Sequence, residues 1–379
     1  MAAVLSLLVV AAAVQAGDIV LPPPSGPRPV GVVTYRWTDS SRVDSLSSPP
    51  SWRTVLARVW YPARPTPAAT PAPYADHLDA AINDWTALHS RVRSHSAAGA
   101  PFAEGSGRAP VIVFATGRST GSFDYTALGE ELASHGYIVL GVDSPHHSKV
   151  VLPDGTLAPV RFPSMRPSTY PSGFDSAQVP MNALVSADLR FVLGRLGAID
   201  RDDPLLRQRL DPERVGMAGH SNGGMAGSRA CAAERMCRVF LGIEGMQTRE
   251  LRLGGVDKPY GLVYSEQTLA FDTLGVFTEM RLHARGPFVL YRVNGVGHNS
   301  VTDLLMVRPT LFSYQIEPKR GLDIMRALTR GFFDRYLLGR ASGDSLAASF
   351  PEVRVERYGA QPSSKPDTRD HSWQRQRSY

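Results

Sequence analysis

The stretch that decides the reading is Arg214-Val215-Gly216-Met217-Ala218-Gly219-His220-Ser221-Asn222-Gly223-Gly224-Met225-Ala226-Gly227-Ser228-Arg229-Ala230. Val215 to Ala218 is a short apolar run of the kind that forms a buried strand, and Gly224 to Ala230 is a helix of small residues able to pack closely. Between them Gly219-His220-Ser221-Asn222-Gly223 matches G-x-S-x-G, where flanking glycines permit a sharp strand-to-helix turn that presents the serine at a sheet edge. The pattern alone is weak, since chance supplies it in roughly one chain in eight of this length at average Gly and Ser usage. The order strand, turn, helix is what separates it from a glycine-rich turn with a bystander serine.

Outward from that turn, short apolar runs alternate with helical patterns: Val111 to Ala115, Tyr125 to Ser134, Tyr137 to Val142, Asn182 to Leu196, Val215 to Ala218 and Val239 to Ile243. This alternation predicts a doubly wound, mostly parallel α/β sheet. Tyr260 to Tyr264 and Phe288 to Val293 read as two further buried strands, followed by a long amphipathic helix over Gly321 to Leu338. Val30 to Trp37 and Thr54 to Trp60 predict an antiparallel opening to the sheet. Pro65 to Pro73 reads as a Pro/Ala linker and Ala75 to Arg93 has helical spacing, so a segment of about 65–107 is expected to lie outside the sheet as an insertion. The tail, 359–379, reads as disordered. The span 17–358 is expected to be one domain.

Composition sets bounds. Of 379 residues, 43% are hydrophobic and 20% charged, which suits a globular chain and excludes collagen-like and multispan classes. The net charge of +6 comes from scattered arginines rather than a basic stripe, so nucleic acid is not an expected partner, whereas transient contact with an anionic lipid surface fits. Ala2 to Ala13 is almost wholly apolar but too short to span a membrane, and Val14-Gln15-Ala16 offers small residues to a signal peptidase. Residues 1–16 therefore read as a signal peptide and the protein as secreted or periplasmic; since no Lys or Arg precedes the apolar run, a membrane anchor is the alternative. The two cysteines, Cys231 and Cys237, are too few for a disulfide scaffold and lack zinc-site partners. An exported chain favours a bridge between them, which requires the helix carrying Cys231 to end before Cys237.

A serine hydroxyl needs a base to take its proton and an acid to hold that base in the right tautomer. His298, in Asn294-Gly295-Val296-Gly297-His298-Asn299-Ser300, follows a strand and best fits the base. His220 reads as a packing or hydrogen-bonding neighbour, while His146 and His147 either line the site or are ordinary loop residues. Glu244, Glu266 and Asp272 all follow strands, and strand position leaves the acid open among them. The oxyanion donors expected are the amides of Asn222, after the serine, and Arg118, in the small-residue loop Ala115 to Gly121. No metal or organic cofactor is required.

Several segments together resemble the plasma-type platelet-activating-factor acetylhydrolases and their bacterial esterase relatives, which have the α/β-hydrolase fold: Val59-Trp60-Tyr61-Pro62, Phe123 to Val142, Pro153-Asp154-Gly155, the serine turn, Gly297-His298-Asn299-Ser300 and Phe332-Phe333-Asp334. The resemblance implies that Glu244, in Ile243-Glu244-Gly245, takes the acid's place, with Glu where the family has Asp. Thr116 stands where the family commonly has His. The implied activity is that of a serine ester hydrolase cleaving short or modified acyl esters, including phospholipids such as platelet-activating factor. The alternatives are a general or polyester-degrading esterase, and a secreted binding protein that kept the fold without turnover. Oligomeric state cannot be read from the sequence.

Overall fold

The computed structural model describes residues 17–359 apart from 66–69, 76–85, 106, 153–154, 156, 162–173, 271–274 and 312–314. The expected signal segment and all of the tail but residue 359 lie outside the described residues. Twelve strands are present among them: β1 (Ile19–Val20), β2 (Val30–Asp44), β3 (Ser51–Pro62), β4 (Pro71–Pro73), β5 (Val92–Ala98), β6 (Ala109–Ala115), β7 (Ile138–Asp143), β8 (Leu210–His220), β9 (Cys237–Ile243), β10 (Tyr260–Ser265), β11 (Phe288–Val293) and β12 (Val353–Tyr358). They form one sheet in the order β1-β5-β2-β3-β7-β6-β8-β9-β10-β11-β12, with β4 paired to β5.

The run from β7 through β6, β8, β9 and β10 to β11 is parallel. β2 and β3 are antiparallel, as expected, and β3 joins the parallel strands by antiparallel pairing to β7. Chain direction across the sheet reverses at β6: the connection from β6 runs by the helix Thr126–Ser134 to β7 on one side, and the helix Phe174–Asp202 returns the chain to β8 on the other. Loops leaving β6 and β8 diverge there, at the strands' carboxyl ends, the place where open α/β sheets hold their ligands.

Alternation along the strands supplies two apolar layers. Val111, Val113 and Ala115 of β6 face one layer with Leu189, Leu193 and Ala226, while Ile112 and Phe114 face the other with Leu128, Phe332 and Phe333. The long helix, expected at Gly321 to Leu338, spans Pro318–Tyr336; Pro318 starts it, and the Glu317 carboxylate accepts from the Lys319 and Arg320 amides at 3.1 and 3.0 Å.

One expectation is overturned. The 65–107 segment does not lie outside the sheet: β5 pairs parallel to both β1 and β2 and antiparallel to β4, and helical structure within it among the described residues is confined to Thr86–His89. The reason is the β2 edge, whose unpaired amides and carbonyls Val92–Ala98 covers with its own. Cys231 and Cys237 are bridged, with Cα atoms 5.2 Å apart, and the helix Ser221–Ala233 ends between them as the bridge demands.

β3 carries the centre of a buried charge cluster. Arg53, fully buried on β3, donates to Asp44 at 2.7 Å and Asp188 at 2.6 Å, and reaches the Pro145 carbonyl at 3.0 Å, tying the hairpin to the 174–202 helix and to the loop after β7. Removing the cation takes the shared partner from two buried carboxylates, leaving Asp188 with Arg42 at 2.9 Å and Asp44 with the Leu46 amide at 3.1 Å. Arg53→Leu is expected to lower unfolding stability by about 3–5 kcal/mol in a urea titration; a loss under about 1 kcal/mol would contradict this.

Candidate active site

β8 runs extended through His220 (φ −102°, ψ 137°), and the chain then turns at Ser221, whose φ of 54° is left-handed and strained for a side chain with a Cβ. The flanking glycines are required by space. A Cβ on Gly219 would stand 2.6 Å from the Gly223 carbonyl oxygen, and one on Gly223 would stand 2.2 Å from the Thr116 carbonyl oxygen. The elbow helix thus lies directly against the end of β6, which brings the β6 loop beside the serine.

His298 Nε2 lies 2.9 Å from Ser221 Oγ. Its loop leaves β11 through Gly295 in left-handed conformation and closes on itself, with Gly297 N–H donating to Ser300 Oγ at 2.9 Å. Asp303 then anchors it: its side chain accepts from the Thr126 and Ala127 amides at 2.8 and 3.2 Å at the start of the 126–134 helix; burial, with Asp124 and Glu130 nearby, pushes its pKa up, and the two amides oppose that push. The His298 loop is thereby tied to the helix that follows the β6 loop.

Glu244 follows the last residue of β9 and, like Ser221, takes a positive φ, 53°. Its buried carboxylate lies 3.9 Å from His298 Nδ1 and accepts from the Ser265 amide, the Ser265 hydroxyl and the Thr268 hydroxyl. Burial pushes its pKa up, and the Thr268 and Ser265 donors oppose that push. Of the other carboxylates weighed as acid, Glu266 is exposed at the start of the Glu266–Ala270 helix, and Asp272 falls outside the described residues.

Arg118 and Asn222, whose amides are the expected oxyanion donors, are neighbours: Arg118 Nη2 donates to Asn222 Oδ1 at 3.1 Å. Asn222 lies in the first turn of the elbow helix Ser221–Ala233, directly after the serine. His147 Nε2 also reaches Asn222 Oδ1, at 3.1 Å, so this histidine borders the site, and burial followed by the Arg118 charge holds its pKa down to about 3. His146 turns away, toward the Pro159 carbonyl and Asp44. Thr116 bonds the Val142 carbonyl and Ser148, away from the serine.

Sequence reasoning missed Tyr125, Ser265, Thr268 and Asp303. Each acts through contacts between distant segments, and none stands in a local pattern that would mark it. Among the described residues no group of three or more His, Cys, Asp or Glu side chains is arranged to hold a metal ion, and no helix is long and apolar enough to cross a membrane.

The sheet order with its reversal at β6, together with this site, is that of the α/β-hydrolase fold, and the class is that of carboxylic ester hydrolases. The family model of platelet-activating factor acetylhydrolase, isoform II, matches residues 17–152, the N-terminal part carrying β1 to β7 and the Arg118 loop. Among solved structures, a ferulic acid esterase from Streptomyces cinnamoneus is similar over 89% of this chain and 99% of its own, with a TM-score of 0.75 and 26% identity. Among curated proteins none matches by sequence.

Burial sets the protonation of the site's histidines. Partial burial lowers the pKa of His298, whose side chain is still 45% exposed, while full burial, with the neighbouring His298, drives that of His220 far below the ordinary value. In an NMR titration His298 is expected to charge with a midpoint below about 6.5, while His220 and His147 stay neutral between about pH 5 and 8. A His298 midpoint above about 7 would contradict this.

Proposed function

We propose that the protein hydrolyses carboxylic esters through an acyl-enzyme on Ser221, and the observation that carries this is the 2.9 Å approach of His298 Nε2 to Ser221 Oγ on a strained turn at the sheet's reversal point. Ser221 Oγ attacks the ester carbonyl while His298 Nε2 takes its proton. The C–O bond to the alcohol breaks, and His298 gives the proton to the departing oxygen. Water then repeats the sequence on the acyl-enzyme, releasing the acid and restoring Ser221. Glu244 faces His298 Nδ1, keeps its proton on that nitrogen and offsets the charge of the imidazolium. The amides of Arg118 and Asn222 bind the oxyanion.

The substrate reading is an ester with a short or modified acyl chain. The family match over residues 17–152 supports an acetylated phospholipid of the platelet-activating-factor kind. The ferulic acid esterase, similar over nearly the whole chain, supports a second reading, a hydroxycinnamate ester. A panel of acetyl glycerophospholipid, methyl ferulate and p-nitrophenyl esters from acetyl to long chain decides between them by kcat/KM. The Cys231–Cys237 bridge supports work in an oxidising compartment, in keeping with export. The excess of basic residues supports transient contact with anionic lipid.

With p-nitrophenyl acetate, Ser221→Ala is expected to lower kcat by at least about 1000-fold and Glu244→Gln by about 100- to 10,000-fold. Full activity in Ser221→Ala would sink the proposal, and loss in Asp272→Asn rather than Glu244→Gln would move the acid. His298 acts as base only when neutral, so kcat/KM falls as pH drops through its pKa. Because burial lowers that pKa, the acid limb is expected below about pH 6.5. A limb centred above about pH 7 would contradict the assignment.

A further inference from the structure

Between the serine turn and the β6 loop lies a chain of buried polar groups that the reaction above does not use. Gly117 N–H donates to Tyr125 Oη at 2.9 Å; Tyr125 Oη lies 2.8 Å from His220 Nδ1; and His220 Nε2 lies 2.7 Å from the carbonyl oxygen of His298. The direction of each bond follows by elimination. A carbonyl only accepts, so His220 Nε2 carries a hydrogen. Burial keeps the ring neutral, so Nδ1 has none and must accept. The Tyr125 hydroxyl therefore donates to Nδ1 and accepts from Gly117. The Thr120 hydroxyl, 2.7 Å from the Gly117 carbonyl and 3.0 Å from Tyr125 Oη, has one hydrogen to share between them.

The relay joins three segments that must agree within a fraction of an ångström: the loop carrying Arg118, the residue before Ser221, and the backbone of His298 itself. Its packing leaves little play. A Cβ on Gly117 would meet His220 Nδ1 at 2.7 Å and Tyr125 Oη at 3.1 Å. The His220 and His298 rings lie with centroids 4.9 Å apart, and Tyr125 rests against Phe114 at 4.7 Å.

We infer that Tyr125 and His220 are positioning residues of the proposed reaction, whose hydrogen-bond relay holds the oxyanion loop and the His298 backbone in one frame around Ser221. The inference rests on the acyl-enzyme reading. Neither residue touches the reacting atoms. Without the Tyr125 hydroxyl, the Gly117 amide and His220 Nδ1 lose their partners, and the two sides of the oxyanion site are free to drift apart. Misplacement of this kind is felt where charge develops in the transition state more than in substrate binding.

The test is Tyr125→Phe, His220→Gln and their double variant with p-nitrophenyl acetate, counting active sites by the pre-steady-state burst. Each single variant is expected to lower kcat per active site by about 10- to 100-fold with KM within about 3-fold. Affinity for an alkyl trifluoromethyl ketone, which mimics the tetrahedral intermediate, is expected to fall in proportion to kcat/KM. The double variant is expected to be no worse than the poorer single one, as for residues acting in one chain. Variants that lose melting temperature yet keep wild-type kcat per site and ketone affinity would overturn the relay, as would strictly multiplicative losses. Should Tyr125→Phe fail to fold, His220→Gln, which retains a donor for the His298 carbonyl, carries the same two outcomes. A wild type showing neither burst nor ketone binding counts against the acyl-enzyme reading itself; a wild type showing both, with variants that match it, counts against the relay alone.

Discussion

The structure turns on how closely the Ser221–Ala233 helix approaches the end of β6. At Gly223 the Thr116 and Ala115 carbonyl oxygens stand where a side chain would be, at 2.2 and 2.6 Å from a Cβ built there. That approach is possible only because the chain turns abruptly at Ser221, and the turn forces the serine into left-handed backbone conformation. The same contact sets the β6 loop beside the serine. A second tight contact repeats the device one strand over: a Cβ on Gly245 would stand 2.4 Å from the Ser221 carbonyl oxygen, so the turn that bears Glu244 packs against the elbow. Backbone strain at Ser221 and Glu244 is thus held in place by packing on both sides rather than by the turns themselves.

Around this frame, hydrogen-bond networks offset part of the cost of burying polar groups. Three elements meet at the serine, and each is moored by a different network: the His298 loop by Asp303 on the start of the 126–134 helix, Glu244 by Ser265 and Thr268, and the loop after β7 by Arg53 through the Pro145 carbonyl. Burial acts in one direction on the histidines, holding His147, His220 and His298 toward neutrality. For His298 that is the form a base requires. For His220 it fixes which ring nitrogen donates.

What could be read in the sequence followed from local pattern. Phe288 to Val293 is apolar but for Arg292, and the observed strand has those bounds; Val215 to Ala218 and Val239 to Ile243 were legible for the same reason. Ser221 and His298 could be found because each sits in a glycine-marked turn after such a run, and the structure brings them together. The helix expected at Asn182 to Leu196 spans Phe174–Asp202, with Pro180 inside it. β5, with its Ser and Ala residues, and the half-buried β12 carry too little apolar contrast to stand out, and both exist to cover edges that only the assembled sheet defines. Tyr125 was invisible for a different reason: its partners lie in the Gly117 loop and at His220, 95 residues away along the chain.

The central claim is that this frame makes one serine, among many, a nucleophile. The direct measurement is incubation of the wild-type protein with a fluorophosphonate, followed by digestion and mass spectrometry of the peptides. The account predicts one adduct per chain, on the peptide containing Ser221, and none in His298→Ala under the same conditions. An unlabelled protein, or an adduct on any other serine, would contradict it.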